Sequence, residues 1–416
     1  MNPTRPFLLL AGLAALGSAP AAAQDLYLGS RTTAVSKNDF LDGSGALVGA
    51  CGGIVQSMTA LGGEIYIGDH NGNIYRHTPS TGAFGYAFTA ANDALSLAAR
   101  DGELLVGGTD STIKRYDPST GQLKGSVSTG TGLPIEAMAM IGDTVIVGSI
   151  SGLIQSGNAL TGGFQFWGSC GNNITALATD GNQLFASDIS GRVWRFEVVT
   201  KSLITSFQTP SEAGGLALIG GDLVAGGVDS TVRRLDHFTG AVKSSFTTFF
   251  PIDALAVNQM PEPGLAYCFG TACPCGNNDF ENGCKNSTGF GSGLVATGSA
   301  SVTADNLVIS VYDLPPNVLG RFYMSPLQSS TPFGAGMLCT GGSGYPTFRL
   351  NFGPTGSKGI LRAGPGIGAY ALQHLGPPAQ IFPGSTWNFQ GWYRDPSGPC
   401  GQTFNTTSAY TVNFLP

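Results

Sequence analysis

The chain reads SLAARDGELLVGGTDSTIKRYDPSTGQLKGSV at residues 96–127, four short apolar runs separated by tight turns. Runs of this length, bounded by Gly, Asp and Pro, are typical of β-strands. The last turn has an Asp that bonds to its own backbone, a Pro that presets φ and a Gly for the left-handed position. The unit predicts a four-stranded antiparallel sheet, with strands at 96–99, 103–107, 112–117 and 122–127.

This unit recurs through the first two thirds of the chain. Its second strand ends on a small residue each time, and the steps between these residues are 39, 39, 41, 39 and 39 positions. A period of about 40 residues with β-type content is the signature of propeller blades. The small residues are Gly29, Gly68, Gly107, Gly148, Ser187 and Gly226. We predict an all-β fold that begins with a six-bladed β-propeller over residues 24–259, with seven blades as the alternative.

The two ends of the array are offset by one strand. No inner-strand signal precedes the strand at 26–29, whereas an apolar run at 252–257 follows the last complete unit. We predict that residues 252–257 supply the inner strand of the N-terminal blade, because this closure leaves no exposed sheet edge at the channel. The inner strands centre on Met58, Leu97, Met138, Leu177, Leu216 and Leu255.

Residues 24–259 resemble WD40-like and PQQ-like propeller repeats. The resemblance rests on the period and on two turn motifs, KRYDPSTG at 114–121 and RRLDHFTG at 233–240. The chain departs from both patterns, because no Trp precedes Asp117 or Asp236 and none follows the Thr-Gly pairs. The resemblance therefore implies the propeller architecture and no cofactor.

The first residues have the features of a secretory signal. Arg5 precedes an apolar stretch at 7–17, and three Ala at 21–23 suit a signal peptidase, so we predict a signal peptide at 1–23. The apolar stretch is too short to span a membrane, and no later stretch approaches the roughly 20 apolar residues that a span needs. We predict a secreted, periplasmic or cell-surface protein without a membrane span.

Charged residues make up 11% of the chain, and the net charge is -6. Because no basic stripe is present, we expect no nucleic-acid partner. A cation recurs on the third strand of the unit, and the unit that lacks it also lacks the acid in the preceding turn. Because the cation and the acid are absent from the same unit, we expect them to form structural ion pairs. A ring of cations that binds an anionic ligand is the alternative. The cations are Lys37, Arg76, Arg115, Arg195 and Arg234, and the turn acids are Asp69, Asp110, Asp188 and Asp229.

Groups suited to catalysis are few. His70 and His237 fall in turns and His77 takes a packing position, so we predict no catalytic residue, cofactor or metal site. The turn at 69–73 resembles part of a calcium loop but has Ile where that loop needs Gly, and a solvated hairpin is the simpler interpretation. Glu136 and Asp253 are the only acids on the inner strands, at the same repeat position in nonadjacent blades.

Two cysteines, Cys51 and Cys170, lie in the propeller repeats. Their separation of 119 residues equals three repeats, so they hold equivalent positions on opposite sides of a six-fold ring. In an oxidising compartment we predict a disulfide between them across one mouth of the channel. Two separate buried thiols are the alternative.

The period stops after residue 259, and residues 260–264 read as a linker to a second domain at 265–416. Six further cysteines predict disulfides, since exported thiols are usually oxidised, although the spacing cannot choose among 15 connectivities. A zinc site at the four clustered thiols is the alternative. The six are Cys268, Cys273, Cys275, Cys284, Cys339 and Cys400.

The second domain is predicted to be a β-sandwich. Residues 301–311 alternate around a turn, residues 410–414 form a terminal strand, and no helix-length pattern intervenes. Residues 265–416 resemble a C-terminal module of exported bacterial proteins, on CPCGN at 273–277, GCKNS at 283–287 and FQGWYRDP at 389–396. That resemblance implies a location and no activity.

Four residues are candidates for contact with a partner. Trp392 and Arg394 lie on the polar face of an alternating strand, where a Trp could stack on a sugar ring or a protein. Phe249 and Phe250 stand in a connection that is polar elsewhere in the repeats. We predict a non-enzymatic binding or scaffold protein that presents propeller loops to a protein or polysaccharide. The alternative is a polysaccharide lyase or hydrolase, or a degenerate quinoprotein-type enzyme, on the same fold.

Overall fold

The computed structural model describes residues 25–258, 263–342, 344 and 346–416. The predicted signal peptide and most of the predicted linker lie outside these ranges. We call residues 25–258 the propeller region and residues 263–416 the C-terminal region.

The propeller region consists of six four-stranded antiparallel sheets. Strands are numbered in chain order, and the first sheet runs β24-β1-β2-β3 while each later sheet uses four consecutive strands. The first sheet comprises β1 (Asp25–Ser30), β2 (Ala34–Asp39), β3 (Gly45–Ala50) and β24 (Ile252–Asn258). The second and third comprise β4 (Val55–Leu61), β5 (Glu64–Asp69), β6 (Asn73–Thr78), β7 (Ala83–Thr89), β8 (Ser96–Arg100), β9 (Glu103–Gly107), β10 (Thr112–Tyr116) and β11 (Leu123–Ser128). The fourth and fifth comprise β12 (Ile135–Ile141), β13 (Thr144–Ser149), β14 (Leu153–Asn158), β15 (Gly162–Ser169), β16 (Ile174–Thr179), β17 (Gln183–Asp188), β18 (Arg192–Glu197) and β19 (Leu203–Gln208). The sixth comprises β20 (Ala213–Ile219), β21 (Asp222–Gly227), β22 (Thr231–Asp236) and β23 (Val242–Thr247).

The six sheets are arranged as in a β-propeller. Their innermost strands contact one another in the closed cycle β24, β4, β8, β12, β16, β20 and back to β24. Strand β24 also pairs antiparallel with β1, with Leu255 opposite Leu28 and Val257 opposite Leu26. The first sheet therefore joins the N-terminal strand of the region to its last strand. The all-β, propeller-like fold expected from the repeats is confirmed.

The small residue at the end of each second strand makes room for the next sheet. A Cβ built on Gly226 would lie 2.6 Å from Ile252 Cγ2, and one on Gly148 would lie 2.6 Å from Ile174 Cγ2. The exception, Ser187, faces the smaller Ala213 and donates a hydrogen bond to its carbonyl oxygen at 3.1 Å. The periodic Gly is thus a packing requirement, since close contact leaves no space for a side chain.

The C-terminal region contains a five-stranded sheet in the order β25-β34-β33-β28-β31, a three-stranded sheet β26-β27-β32 and the hairpin β29-β30. Its helical turns are short: α1 (Ile367–Tyr370), a π-helical turn (Ala371–Leu375) and 3-10 turns at Pro377–Ala379 and Pro399–Gly401. The strands are β25 (Leu265–Tyr267), β26 (Gly293–Thr297), β27 (Val308–Tyr312), β28 (Leu319–Ser325), β29 (Gln328–Phe333), β30 (Gly336–Thr340), β31 (Phe348–Pro354), β32 (Leu361–Ala363), β33 (Thr386–Arg394) and β34 (Phe404–Asn413).

One apolar core lies between the two larger sheets of the C-terminal region. Ile309 and Val311 from the three-stranded sheet pack in the same buried cluster as Phe322, Phe389 and other residues of the five-stranded sheet. A second cluster crosses into the propeller region, where Tyr312 packs with residues of the first and last sheets. The C-terminal region therefore covers the place where the ring of sheets begins and ends.

Candidate functional site

A channel lined mainly by small and aliphatic side chains runs through the centre of the propeller region. The six residues at the centres of the inner strands, Met58, Leu97, Met138, Leu177, Leu216 and Leu255, line it together. On one side of this ring the channel widens to a cavity of about 600 Å³, lined mainly by small and aliphatic side chains. The inner-strand residues singled out by the repeats thus form one constriction of the channel.

A polar pocket of about 200 Å³ lies on the other side of the constriction, at the channel mouth. Glu136 and Asp253 enter it from β12 and β24, which are opposite one another in the cycle of inner strands. Two further charged residues join them from connections between strands: Arg31 follows β1, and Glu212 precedes β20. The structure therefore brings together the two acids that the repeats placed in nonadjacent sheets.

The charges at the channel mouth are only partly compensated. Arg31 Nε donates to Asp253 Oδ1 at 2.7 Å, whereas Asp253 Oδ2 is buried and has no hydrogen-bond partner among the described residues. Burial raises the pKa of Asp253 against the opposing effect of Arg31, and burial alone raises the pKa of Glu136. Burial also raises the pKa of Glu212, which Arg31 partly offsets. Such carboxyls can act as proton donors or can bind a ligand cation or hydroxyl group.

Sequence reasoning missed Arg31 and Glu212. Neither lies on a strand of the repeat, so no periodic signal places them at the channel. Their positions in the chain could have identified them. Arg31 and Glu212 lie in connections at the end of the sheets where the inner strands begin, which is the end that carries Glu136 and Asp253.

The predicted contact residues Phe249 and Phe250 have different environments. Phe250 is buried in the cluster between the first and last sheets, while Phe249 is fully exposed, at 105% of its reference area. Both line a cleft of about 530 Å³ together with β2 and the β2–β3 turn. Leu47, which is 65% exposed, also lines this cleft. We call Phe249, Leu47 and this cleft the seam patch.

The other predicted contact residues, Trp392 and Arg394, lie near the end of β33. Trp392 is half-buried, and the Arg394 guanidinium carbon lies 5.6 Å from its ring centroid. Asn388 and Gln390, which alternation places on the same face of the strand, are buried. Gln390 Nε2 donates to the carbonyl oxygens of Met337 and Thr407 at 2.8 and 2.9 Å. The hairpin β29-β30 thus covers this part of the strand, and both amide hydrogens of Gln390 are bonded within the C-terminal region.

The recurrent cations are engaged in pairs, but with a partner that differs from the turn acid we expected. Each contacts an oxygen of the residue 12 positions earlier, at the start of the second strand of its sheet. Lys37 Nζ lies 2.7 Å from Asp25 Oδ2, and Arg115 Nη1 lies 2.9 Å from Glu103 Oε2. The turn acids instead accept backbone hydrogen bonds within their own turns, as Asp69 does from Asn71 N at 2.9 Å. The expectation of structural ion pairs holds for four of the five cations, whereas Arg195 Nε donates to the amide oxygen of Gln183 at 2.6 Å, and the assigned partner was wrong.

The predicted disulfide between Cys51 and Cys170 is contradicted. Both thiols are buried and free, and they pack in different apolar clusters on opposite sides of the ring. A disulfide needs the two Cα atoms within about 7 Å, and the channel lies between these sheets. Because Cys51 and Cys170 hold equivalent positions three repeats apart, the ring of sheets separates the two thiols.

Disulfides do occur in the C-terminal region. Cys268 pairs with Cys339, and Cys273 pairs with Cys284. Cys275 is also disulfide-bonded, and the side chain of Cys400 is outside the described part of the chain. The zinc alternative for the clustered thiols is wrong, because these thiols are oxidised. Within the described residues, no group of three or more His, Cys, Asp or Glu could hold a metal ion.

Two comparisons with known proteins find no match: no family model and no curated protein is similar to the chain. Solved structures are similar in fold. A chain in the crystal structure of a nidogen/laminin complex matches with a TM-score of 0.51 and 9% identity, over 56% of this chain and 98% of that one. The WD40 β-propeller domain of Doa1 matches with a TM-score of 0.45 and 16% identity, over 62% of this chain and 88% of that one. At these identities the likeness concerns the fold alone.

No helix in the described part of the chain is long and apolar enough to cross a membrane.

Proposed function

We propose that this protein is an exported, non-enzymatic binding or scaffold protein that presents the seam patch and neighbouring loops of a six-bladed propeller to a protein or polysaccharide partner. A β-sandwich formed by the C-terminal region follows the propeller in this proposal. The oxidised cysteines of that region support export, since disulfides persist in oxidising compartments.

The exposure of Phe249 carries the proposal. An aromatic side chain that is fully in solvent, beside an apolar cleft and next to a buried Phe, gains little for folding and costs solubility. Aromatic anchors next to pockets are enriched among the residues that dominate binding energy. The loop is also held in place, because Thr248 Oγ1 donates to the Phe250 carbonyl oxygen at 2.8 Å. We therefore infer that Phe249 is a preformed anchor for a partner.

The test is capture of partners by the mature chain from its own cell envelope, followed by identification of the bound protein or glycan. We expect Phe249→Ser to lose the partner while the melting temperature stays unchanged. Phe280→Ser is the matched control, because Phe280 is 72% exposed and does not line the cleft. Equal capture by the wild-type protein and Phe249→Ser would overturn the role of the seam patch.

A second candidate function is favoured by the channel mouth. Glu136 and Asp253 line one pocket, and a pair of carboxyl groups across a pocket is the arrangement of a polysaccharide hydrolase or lyase. Turnover of polysaccharides by the mature chain, abolished in Glu136→Gln and in Asp253→Asn, would favour this enzyme over the scaffold. No turnover by the wild-type chain favours the scaffold.

A further inference from the structure

The seam patch lies at the place where the first propeller sheet departs from the other five. In the later sheets, the third and fourth strands from the channel carry aromatic or aliphatic side chains beside the turn that joins them. Four of these cross-strand pairs are His77 with Phe84, Tyr116 with Leu123, Phe196 with Leu203 and Leu235 with Val242. In the fourth sheet Phe164 alone takes this place, 2.8 Å from a Cβ built on Gly157. The first sheet instead pairs Asn38 with Gly45.

In other sheets these side chains fill the space against the preceding sheet. Examples are Phe84 against Gly49, Tyr116 against Phe88 and Phe196 against Trp167. At the boundary between the last and first sheets, Asn38 and Gly45 line the open cleft of about 530 Å³ in the seam patch. The cleft therefore lies where the repeat elsewhere places an aromatic or aliphatic side chain.

The backbone of the first sheet prevents the chain from filling this space with a side chain at residue 45. A Cβ built on Gly45 would lie 2.2 Å from the Lys37 carbonyl oxygen, which is far inside van der Waals contact. Phe249 lines the cleft but keeps its side chain fully in solvent. The cleft is thus open to a side chain from another molecule.

The chemistry of the cleft favours an uncharged apolar group over a sugar. None of the described residues that line the cleft is charged. Asn38 Nδ2 donates to the Gly43 carbonyl oxygen at 3.1 Å, and Asn38 Oδ1 accepts from Ser36 Oγ at 2.7 Å. Thr248 Oγ1 donates to the Phe250 carbonyl oxygen at 2.8 Å. Because these polar groups are already engaged within the chain, sugar hydroxyl groups would lose hydrogen bonds to water without replacing them.

The strand at the rim of the cleft favours a polypeptide. β3 is the outermost strand of the first sheet, and no described strand pairs with its outer edge. Its sequence, GALVGA, contains none of the charged residues or prolines that commonly block edge pairing. Free main-chain N–H and C=O groups on such an edge bind extended peptide segments. A segment alongside β3 would hold its side chains beside the cleft, because Gly45, Ala46 and Leu47 of this strand line it.

We propose that the cleft of the seam patch receives a large, uncharged apolar side chain, aromatic or leucine-like, from an extended segment of a partner protein. This inference rests on the proposed function and narrows its partner from protein or polysaccharide to protein. Phe249 and Leu47, both exposed, pack against the inserted side chain in the complex, as the anchors of binding surfaces do. The other five sheets of the same propeller carry a side chain of this kind at the corresponding position.

The experiment is saturation-transfer NMR on the mature full-length chain, which detects weak binding of small probes. The probes are N-acetyl-phenylalaninamide, N-acetyl-leucinamide, N-acetyl-serinamide and dextran. We expect the phenylalanine and leucine amides to bind with dissociation constants on the order of millimolar, the range for burying one apolar side chain. The serine amide and dextran should show no transfer.

The decisive variant is Ala46→Trp. Ala46 is exposed and lines the cleft, so an indole ring at this position would occupy the space and abolish transfer to both apolar amides. Gly85→Trp is the matched control, because Gly85 holds the same repeat position in the second sheet and has nothing within 4 Å of a built Cβ. It should bind the amides as the wild-type chain does. Thr247→Trp fills the cleft from the last sheet and replaces Ala46→Trp if melting temperatures show that the latter fails to fold.

The outcomes separate this inference from the proposed function. No transfer to the apolar amides, equal loss in Gly85→Trp, or binding of dextran that Ala46→Trp abolishes would each overturn the inference. Dimers in sedimentation that Ala46→Trp dissociates would do the same, since a second copy would then fill the cleft. In the capture experiment, a glycan lost from Phe249→Ser would overturn this inference and leave the proposed function standing. Equal capture of a protein by the wild-type chain and Phe249→Ser would instead overturn the role of the seam patch.

Discussion

Arg234 of the last propeller sheet is bound by Asp313 of the C-terminal region, with Nη1 to Oδ1 at 3.2 Å and Nη2 to Oδ2 at 3.1 Å. The two residues are 79 positions apart in the chain and almost completely buried. Arg234 also donates to Asp222 of its own sheet, and Lys243 Nζ lies 2.7 Å from the same carboxylate. The ion pair that recurs in the repeats, here Arg234 with Asp222, therefore gains a third member from the C-terminal region and links the two regions.

We predict that Asp313→Asn destabilises the protein by about 3–5 kcal/mol, because it leaves a buried guanidinium with less compensating charge. The free energy of unfolding in urea measures the loss. Asp253→Asn is the control, since its partner Arg31 has a side chain that is 60% exposed, and such a pair contributes at most about 1 kcal/mol. Equal losses in the two variants would contradict the role of the buried network.

Stability should fall as the pH rises from about 6.5 to about 8. Burial raises the pKa of Glu281 to about 8, and Glu281 Oε1 lies 3.3 Å from His237 Nε2. His237 Nδ1 donates to the Gly221 carbonyl oxygen, so Nε2 of the neutral imidazole is free to accept a hydrogen bond from the protonated Glu281 carboxyl group. The unfolded carboxyl ionises from its usual pKa of 4.5, and the folded one only near 8. The unfolded state therefore holds fewer protons in this interval, which costs stability as pH rises.

Below about pH 6.5 an opposite effect enters, because burial lowers the pKa of His237 and the unfolded imidazole then binds the proton first. The Glu281→Gln variant keeps a donor toward His237 but cannot ionise. Its unfolding free energy, measured between pH 6.5 and 8, should be flatter than that of the wild-type chain. Identical slopes would contradict the assignment to Glu281.

The thiols of Cys51 and Cys170 should resist alkylation in the folded protein. Burial raises the pKa of each to about 12, and only the thiolate reacts. With iodoacetamide, mass spectrometry should find neither residue modified in the native protein and both modified in guanidinium without reductant. A Cys51–Cys170 cross-linked peptide would refute the structure at this point.

Gly226→Ala should cost about 1–3 kcal/mol, the usual effect of overpacking a core. The new methyl group would meet Ile252 of the neighbouring inner strand, as the Cβ contact of 2.6 Å shows. Gly85→Ala is the control, because nothing lies within 4 Å of a Cβ at that position and neither Gly has a positive φ. Thermal unfolding of both variants distinguishes packing from backbone effects.

Much of the fold follows from short-range patterns. Strand alternation and turn residues act over a few positions, so residues 96–127 sufficed to predict a four-stranded sheet, and the recurrence of this unit about every 40 residues predicted the propeller-like, all-β fold. The periodic Gly was visible as well, although its reason, the approach of Ile252 to Gly226, lies in the packing of neighbouring sheets.

Much less of the candidate sites could be predicted from the sequence. The repeats identified Glu136 and Asp253 but could not place Arg31 and Glu212 beside them, since residues in connections carry no periodic signal. Alternation places Gln390 on the same face of β33 as Trp392 and Arg394, yet the β29-β30 hairpin covers it. For Phe249 and Phe250, adjacent identical residues, nothing local distinguishes the exposed ring from the buried one.

Local sequence was thus enough for the strands, the turns and the propeller-like repeat, because these depend on backbone preferences and on which face of a strand is apolar. Packing between distant segments decided the separation of Cys51 from Cys170 and the link from Arg234 to Asp313. Those contacts depend on where the ring of sheets places residues far apart in the chain. Because the repeats are similar in sequence, the sequence does not indicate which of them will contact the C-terminal region.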